Sequence, residues 1–272
     1  MTFHFDFQPL DEPGADQRWS TWASVEPLCR GPEPRPGWVV TSQGALDTEL
    51  GILKTGKEAE VFLLERAVPG QPGVVLAAKR YKGRDQLAFH RSEVYTEGRS
   101  TRRSRDARAI KAKSNFGRHV AVGQWAASEW ECLCRLWLAG APVPYPVQLD
   151  GTEILMEFIT DTDGLPAPRL AQARPGPGLL RDYFEQLRAA LAILARHGIA
   201  HGDLSAYNLL ATGERLVVID LPQAVDLAGN RQGLDFLMRD CRNVCTWFRH
   251  HGLAPEIADE DALFAHLVAG AF

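Results

Sequence analysis

The sequence predicts an α+β protein with two lobes, in which a strand-rich part precedes a mainly helical part. Strand-length apolar runs and turn signals dominate up to about residue 157, whereas long amphipathic patterns follow. The 272 residues, 45% of them apolar and 24% charged, are typical of a globular chain long enough for two lobes, each with a core. We assign 1–47 to an N-terminal extension, 48–156 to a first lobe and 157–272 to a second.

The N-terminal extension is rich in Pro, Gly and Trp, as in "RGPEPRPGW", and we expect it to wrap around the body or to stay partly disordered. Its first residues lack a basic patch followed by an apolar run, and no stretch reaches 18 apolar residues. We therefore expect neither a secretory signal nor a membrane span. Five cysteines without framework spacing favour a reducing cytoplasm, and Cys132/Cys134 and Cys241/Cys245 fit core thiols better than a metal set.

The first lobe opens with a predicted β-hairpin, "GILKTGKEAEVFLLERA" and "VVLAAKRYK", joined by the turn "PGQPG". Residues 84–118 follow, with ten Lys or Arg against four Asp or Glu and almost no aliphatic side chains. Such a segment buries too little apolar surface to order itself, so we interpret it as a long mobile basic loop. It fits a solvated spacer and a contact for an acidic partner equally well.

Three helical patterns and one more hairpin complete the chain. "VGQWAASEWECLCRLWLAG" predicts a helix ending at Gly140, and "VQLDGTEILMEFI" predicts two strands around an Asp-Gly turn. "GLLRDYFEQLRAALAILARHG" and "GLDFLMRDCRNVCTWFRHHG" predict two further helices. The buried stripe of the first of these two consists of Leu180, Tyr183, Phe184, Leu187, Leu191 and Leu194.

The segment "IAHGDLSAYNLLATGERLVVID", residues 199–220, carries the chemistry. Asp203 is expected in a tight loop, where a carboxylate can accept a proton from a hydroxyl. Asn208 offers an amide oxygen, and Asp220, at the end of the predicted strand "RLVVID", offers a carboxylate; Mg²⁺ prefers such oxygens together with substrate phosphates. We interpret Asp203 as the base, and Asn208 and Asp220 as metal ligands of a phosphoryl-transfer site.

A phosphoryl-transfer site on ATP also needs a lysine held by a carboxylate. Lys79 ends the apolar run "VVLAAK", and Glu129 shares a helix face with Trp125, Cys132, Leu133 and Leu136. A Glu on an apolar face requires a cation, so we predict a Lys79–Glu129 pair.

"KTGKEAEVF" lies upstream of that lysine and is a poor glycine loop. Gly56 is its single glycine, yet its backbone N–H groups can still cover phosphates. Lys57 adds positive charge, and Val61 is expected beside the nucleotide.

These motifs resemble an atypical protein kinase family, the RIO kinases, over about residues 51–250. "TGKEAEV", "LPAPRL", "HGDLSAYNLL" and "IDLPQAVD" carry the resemblance, which is strongest to the RIO-one-like branch found in bacteria. It implies a small two-lobed kinase fold that binds ATP and Mg²⁺ in the cleft and acts as a serine/threonine protein kinase or ATPase. It also implies that Met156 is the gatekeeper, that the backbone of Glu157 and Ile159 holds adenine, and that Asp220 itself takes phosphate.

Several positions depart from related patterns. Lys54 stands where the RIO family usually has Ser, which leaves phosphate handling in that loop open. Gly202 stands where ordinary protein kinases have the Arg that reads a phosphorylated activation loop. No "APE" motif follows Asp220, so we do not expect the usual peptide-docking subdomains in the second lobe.

Two other functions compete with the protein kinase. One is a small-molecule phosphotransferase of the aminoglycoside or choline kinase kind, which shares "HGDxxxxN" but typically has a larger helical insert than residues 159–179 allow. The other is an ATP-driven conformational switch on a ribosomal or RNA particle, bound through the basic loop. The sequence does not name the physiological substrate.

Overall fold

The first lobe is built on a six-stranded antiparallel sheet with the order β1-β2-β3-β4-β6-β5. The computed structural model describes residues 12–82, 115–221 and 224–272, with side chains in the first helix described from Val122 onward. The strands are β1 (Gln17–Trp19), β2 (Leu46–Thr55), β3 (Ala59–Ala67), β4 (Val74–Tyr81), β5 (Pro146–Asp150) and β6 (Glu153–Glu157). Both predicted hairpins are present, as β3–β4 and β5–β6, and β2 adds a strand before them.

The register of this sheet places three residues in one row across neighbouring strands. Lys54 of β2 pairs with Val61 of β3, and Val61 pairs with Lys79 of β4. Directly paired residues of antiparallel strands point to the same face of a sheet. The register therefore turns two lysines and one valine toward the second lobe, whose cleft they line.

Four helices accompany the sheet in the part of the chain that the structure describes: α1 (Asn115–Leu138), α2 (Pro177–Arg196), α3 (Gly233–His250) and α4 (Glu260–Ala271). α1 begins at Asn115, so the last four residues of the predicted basic loop are helical; the rest of that loop, 84–114, lies outside the described residues. α1 ends at Leu138, and Gly140 then adopts a positive φ of 77°, which suits a glycine after a helix. α4 was not predicted.

Short elements connect the helices of the second lobe. β7 (Ile199–Ala200) pairs with β10 (Val225–Asp226), and β8 (Leu209–Thr212) pairs with β9 (Arg215–Val218). The predicted catalytic loop runs between β7 and β8. β9 ends at Val218, two residues before Asp220, so the prediction that Asp220 closes the strand is wrong. The backbone of Asp220 has a φ of +67°, which is not compatible with an extended strand.

Residues 12–45, which we call the N-terminal strap, contribute the edge strand β1 to the sheet of the first lobe and otherwise lie against that sheet. Gly31 N–H donates to the Val147 carbonyl at 2.8 Å, and the Trp130 indole N–H of α1 donates to the Leu28 carbonyl at 3.1 Å. Trp22 is buried in a small apolar cluster with side chains of β3 to β6. The strap therefore covers one side of the first lobe.

The larger hydrophobic core joins α1, α2, α3 and α4 with β7 to β9. The predicted stripe of α2 from Leu180 to Leu194 is buried at all six positions. Burial raises the pKa of Cys134, Cys241 and Cys245 to about 12, which keeps these thiols protonated. None of the five cysteines forms a disulfide, and among the described residues no group of three or more His, Cys, Asp or Glu is arranged to hold a metal ion.

None of the helices within the described ranges is both long and apolar enough to cross a membrane.

Candidate active site

A cavity of about 720 Å³ lies between the sheet of the first lobe and the loops of the second. Most of the residues predicted from the sequence to form the site line it. These are Gly56, Lys57, Val61, Lys79, Glu129, Met156, Glu157, Ile159, Asp203 and Asp220. Asn208 is the exception, because it is buried and does not line the cavity.

Lys79 and Glu129 form a buried ion pair at the back of the cavity. Lys79 Nζ lies 2.7 Å from Glu129 Oε1, and Glu129 is only 2% exposed. The second oxygen of Glu129 accepts a hydrogen bond from the Tyr81 hydroxyl. Burial acts to lower the pKa of Lys79, but the combined effects of Glu129, Tyr81 and Asp220 outweigh it, and the pKa lies well above its usual value. Lys79 is therefore a permanent cation here.

Lys79 also contacts the second lobe. Its ammonium group lies 2.9 Å from Asp220 Oδ1, so one lysine bridges a carboxylate of each lobe. Burial acts to raise the pKa of Asp220, but the charge and hydrogen bond of Lys79 lower it to about 2. The positive φ of Asp220 is sparsely populated by residues other than glycine, although Asp and Asn adopt it more readily than most. This backbone conformation aims the carboxylate into the cleft.

Asp203 and Asn208 are held together by the loop between them. Asn208 Nδ2 donates to the Asp203 carbonyl at 2.8 Å, and the Ser205 hydroxyl caps the short turn Ala206–Asn208. Asn208 is buried, whereas Asp203 is exposed on the cavity wall. The hydrogen bond occupies the amide nitrogen of Asn208 and leaves the amide oxygen for another partner.

A residue that sequence reasoning missed positions this loop from α3. Both oxygens of the buried Asp240 accept backbone N–H groups, from Gly202 at 2.8 Å and from Leu204 at 2.9 Å. Its neighbour Arg239 donates to the Gly202 carbonyl. The signal was present in the sequence, because Asp240 is a carboxylate within the apolar face of "LDFLMRDCRNV".

Buried His201 also supports the site. One ring nitrogen lies 3.1 Å from the Ile219 carbonyl, next to Asp220. This contact connects the loop after β7 with the segment after β9, which carry Asp203 and Asp220.

The roof of the cavity is the turn between β2 and β3. Gly56 N–H donates to the Ala59 carbonyl at 3.0 Å, and a Cβ at Gly56 would lie only 2.9 Å from that oxygen. The turn is therefore too tight for a side chain at Gly56. At the opposite end, Met156 and Glu157 close β6, and the Glu157 N–H and the Ile159 carbonyl are bound to Tyr145 and Ala167.

A curled antiparallel sheet above a helical lobe, with a lysine–glutamate pair in the cleft between them, is the architecture of a small protein-kinase-like fold. The Rio2 kinase–ADP/Mg²⁺–phosphoaspartate complex from Chaetomium thermophilum has this fold too. It superimposes with a TM-score of 0.54 at 20% identity, over 82% of this chain and 65% of that one. The predicted fold class is confirmed.

The family follows from the sequence comparisons. The model of the RIO domain matches residues 76–263, and the chain therefore belongs to the RIO family. It is 34% identical to the RIO-type serine/threonine-protein kinase Rio1 of Haloferax volcanii, over 83% of this chain and 70% of the relative. It is 29% identical to the serine/threonine-protein kinase RIO3 of Mus musculus, over 83% of this chain but 43% of that protein. The predicted family is confirmed, and the relatives' names agree with the predicted enzyme class.

Proposed function

We propose that the chain is an ATP- and Mg²⁺-dependent serine/threonine protein kinase of the RIO type, which transfers the γ-phosphoryl group of ATP to protein hydroxyls or to its own Asp220. The double contact of Lys79, to Glu129 at 2.7 Å and to Asp220 at 2.9 Å, carries the proposal. It supplies a fixed cation beside a carboxylate in a cavity that Asp203 also lines. Such fixed charges supply most of the catalysis in phosphoryl transfer.

The donor set at this end of the cavity fits Mg²⁺. The Asn208 amide oxygen and the Asp220 carboxylate are hard oxygen ligands, and the low pKa of Asp220 keeps it ionised. Magnesium bound there would neutralise charge on the phosphate oxygens. Asn208 and Asp220 would hold it, whereas Lys79 would remain the cation that orients the phosphates.

The other end of the cavity suits adenine. Met156 is the gatekeeper in this proposal. Because the Glu157 N–H and the Ile159 carbonyl have protein partners, recognition would use the Glu157 carbonyl and the Ile159 N–H. Val61, on the sheet face above, would pack against the base, while Gly56 and Lys57 would cover the phosphates.

Asp203 is the general base in this proposal, accepting the proton of an incoming hydroxyl. Replacing it with Asn preserves size and removes the base. We expect Asp203→Asn to lower the transfer rate about 10²–10⁴-fold with ATP affinity little changed. Transfer to a generic protein substrate and nucleotide binding by calorimetry measure the two quantities. Wild-type turnover in this variant would rule out the assignment of Asp203.

Asp220 is the acceptor in the second branch of the proposal. Attack of its carboxylate oxygen on the γ-phosphorus forms an acyl phosphate, with ADP as leaving group, and water later releases phosphate. The similar Chaetomium Rio2 kinase was crystallised as a phosphoaspartate complex with ADP and Mg²⁺. Labelled ATP and hydroxylamine test this branch, since hydroxylamine cleaves acyl phosphates and spares phosphoserine. Label that resists hydroxylamine and maps to Ser or Thr would leave Asp220 as a metal ligand only.

A small-molecule phosphotransferase is less well supported. Residues 158–176 form a short connection with one 3-10 turn, Leu170–Gln172, and no helical insert that would shape a substrate pocket. Phosphorylation assays against protein, RNA–protein and small-molecule pools separate these functions. Turnover with small molecules alone would favour the phosphotransferase.

The remaining predictions concern the partner and the compartment. We propose that the basic loop, 84–118, contacts a ribosomal or RNA-containing particle, and its six excess positive charges support this. Affinity should then fall steeply with salt and with deletion of the loop. Five cysteines without a disulfide support a cytoplasmic location. The lobe boundary at 156–157 falls at the end of β6 and remains part of this proposal.

A further inference from the structure

A second lysine faces the cavity beside Lys79. Lys54 belongs to the same cross-strand row as Val61 and Lys79, and strands are about 4.8 Å apart, so the α-carbons of the two lysines are separated by roughly 10 Å. Lys54 lines the cavity, where the residue is exposed to solvent. Its side chain thus points into the region that contains Asp220.

A third cation approaches from the second lobe. Arg169 lines the same cavity, and its guanidinium donates to the Tyr207 carbonyl, one residue before Asn208. Arg169 also forms an isolated bridge with Leu210, which fixes its backbone beside the catalytic loop. Lys54 and Arg169 therefore approach the reacting end of the cavity from opposite lobes.

The positive charge of these two residues is not matched by protein carboxylates. Lys79 has ion pairs with Glu129 and Asp220, whereas within the described ranges no Asp or Glu lies within 4.0 Å of Lys54 or Arg169. Partial burial lowers the pKa of Lys54, and the positive charge of Arg169 lowers it further; Asp220 acts in the opposite direction, and Lys79 lowers it slightly more. Cations that crowd together in this way are stabilised by a bound anion.

We propose that Lys54 and Arg169 form a two-cation clamp on the terminal phosphate of ATP, so that the site binds ATP more tightly than ADP. The inference rests on the proposed function and concerns this chain's own residues. Asp220 lines the same cavity as Lys54 and Arg169, and its carboxylate contacts Lys79 at 2.9 Å. A nucleoside triphosphate whose γ-phosphate faces Asp220 would reach Lys54 and Arg169, whereas a diphosphate would end short of them.

The clamp has a consequence for turnover. Once the γ-phosphoryl group has left ATP, the remaining ADP no longer contacts either cation. ADP therefore dissociates more readily than ATP would, because the contacts that favour ATP binding are lost with the transferred group.

The test compares ATP and ADP binding to the full chain, by calorimetry with Mg²⁺, in wild type, Lys54→Ala and Arg169→Ala. Losing one charge-assisted contact should weaken ATP binding about 10-fold, with ADP binding changed less than about 2-fold. Lys54→Arg should retain most of the preference for ATP. Lys82→Ala is the matched control, since it removes one lysine outside the cavity, ion-paired with Glu60 at 3.0 Å, and should change neither affinity.

Three results would overturn the clamp: equal weakening of ATP and ADP in Lys54→Ala, unchanged binding of both, or a raised KM for the protein substrate with unchanged ATP affinity. A raised KM of this kind would indicate that Lys54 and Arg169 bind an acidic protein substrate and not the terminal phosphate of ATP. Thermal melting of each variant separates loss of fold from loss of contact, and Lys54→Ser provides a second, polar replacement. A wild-type chain that binds neither nucleotide contradicts the proposed function itself, whereas a chain that binds both without discrimination contradicts only the clamp.

Discussion

At the scale of single residues, the buried charges of the first lobe explain both stability and chemistry. Glu129 is almost fully buried, and its two oxygens are satisfied by Lys79 and by the Tyr81 hydroxyl. Removing one member of a buried ion pair leaves the other charge without compensation, which is far more costly than losing an exposed pair. Lys79 is thus a structural as well as a functional cation.

Lys79→Met should abolish ATP turnover and lower the free energy of unfolding by about 3 kcal/mol, because Glu129 loses its cation. Adding Glu129→Gln should recover most of the stability, since a neutral amide needs no counter-charge and its oxygen still accepts from Tyr81. Activity should stay absent. Urea unfolding and an ATPase assay measure the two effects. If Lys79→Met alone had the wild-type free energy of unfolding, the Lys79–Glu129 pair would contribute nothing to the stability of the fold.

The low pKa of Asp220 predicts how the free energy of unfolding changes in acid. Its pKa in the folded chain, about 2, lies below the ordinary value of 3.8, so ionised Asp220 stabilises the fold above about pH 4, and this contribution is lost as the pH falls toward 2. Asn tolerates the positive φ and carries no charge. The gap in unfolding free energy between wild type and Asp220→Asn should therefore narrow steadily between pH 5 and pH 2.5.

Urea titrations at several pH values measure that gap. Asp182→Asn, on the exposed side of α2, serves as the control for a change in net charge. A gap that stays constant with pH would mean that Lys79 does not stabilise the Asp220 carboxylate.

At the scale of elements, the N-terminal strap is an integral layer of the first lobe. The Tyr145 hydroxyl donates to the Pro32 carbonyl at 3.0 Å, and Gln148 of β5 donates to the Thr21 hydroxyl at 2.7 Å. Arg66 of β3, fully buried, binds both Asp47 and Gln148. Polar side chains of the first lobe thus find some of their hydrogen-bond partners in the strap. These bonds join the strap and the sheet into one unit.

Gly31 is the point of closest approach between strap and sheet. A Cβ there would lie 2.1 Å from the Pro146 carbonyl oxygen and 2.5 Å from the Tyr145 hydroxyl. Gly31→Ala should destabilise the chain by about 1–3 kcal/mol, because backbone must move to admit the methyl group. Gly37→Ala is the matched control, with nothing within 4 Å of the added atom. Equal unfolding midpoints for the two variants would contradict this packing.

At the scale of the whole molecule, the cleft is where the two lobes meet. Lys79 of the sheet already pairs with Glu129 of α1 in the first lobe, and its contact with Asp220, from the segment after β9, forms because the lobes close over one cavity. A ligand that contacts all three favours the assembled arrangement over any in which the lobes are apart or unfolded.

Mg²⁺-ATP should therefore stabilise the folded chain as a whole. At a concentration 100 times its Kd, the expected gain is about 2.7 kcal/mol, seen as a higher urea midpoint that depends on ATP concentration. Adenosine, which lacks phosphates, should give a much smaller shift. The Lys79→Met variant should gain little from Mg²⁺-ATP. A wild-type midpoint indifferent to Mg²⁺-ATP would contradict binding in this cleft.

The fold class and the central cluster of the site could be predicted from the sequence. Period and turn signals are local properties, so the hairpins β3–β4 and β5–β6 and the buried stripe of α2 were predictable. A Glu on an apolar helix face needs a cation, which is why the pairing of Glu129 with Lys79 could be anticipated across 50 residues. The RIO motifs supplied the family, which the comparisons confirm.

Tertiary structure alone decided the features that depend on distance in space. No local period or spacing in the sequence predicts three of these features. They are the positive φ of Asp220, the two N–H groups bound by Asp240, and the close contact of Gly31 with Pro146. The alignment of Lys54 with Lys79 depends on the register of three strands. Periodicity indicates which residues form a strand, whereas the pairing between strands and the closing of two lobes determine which side chains meet.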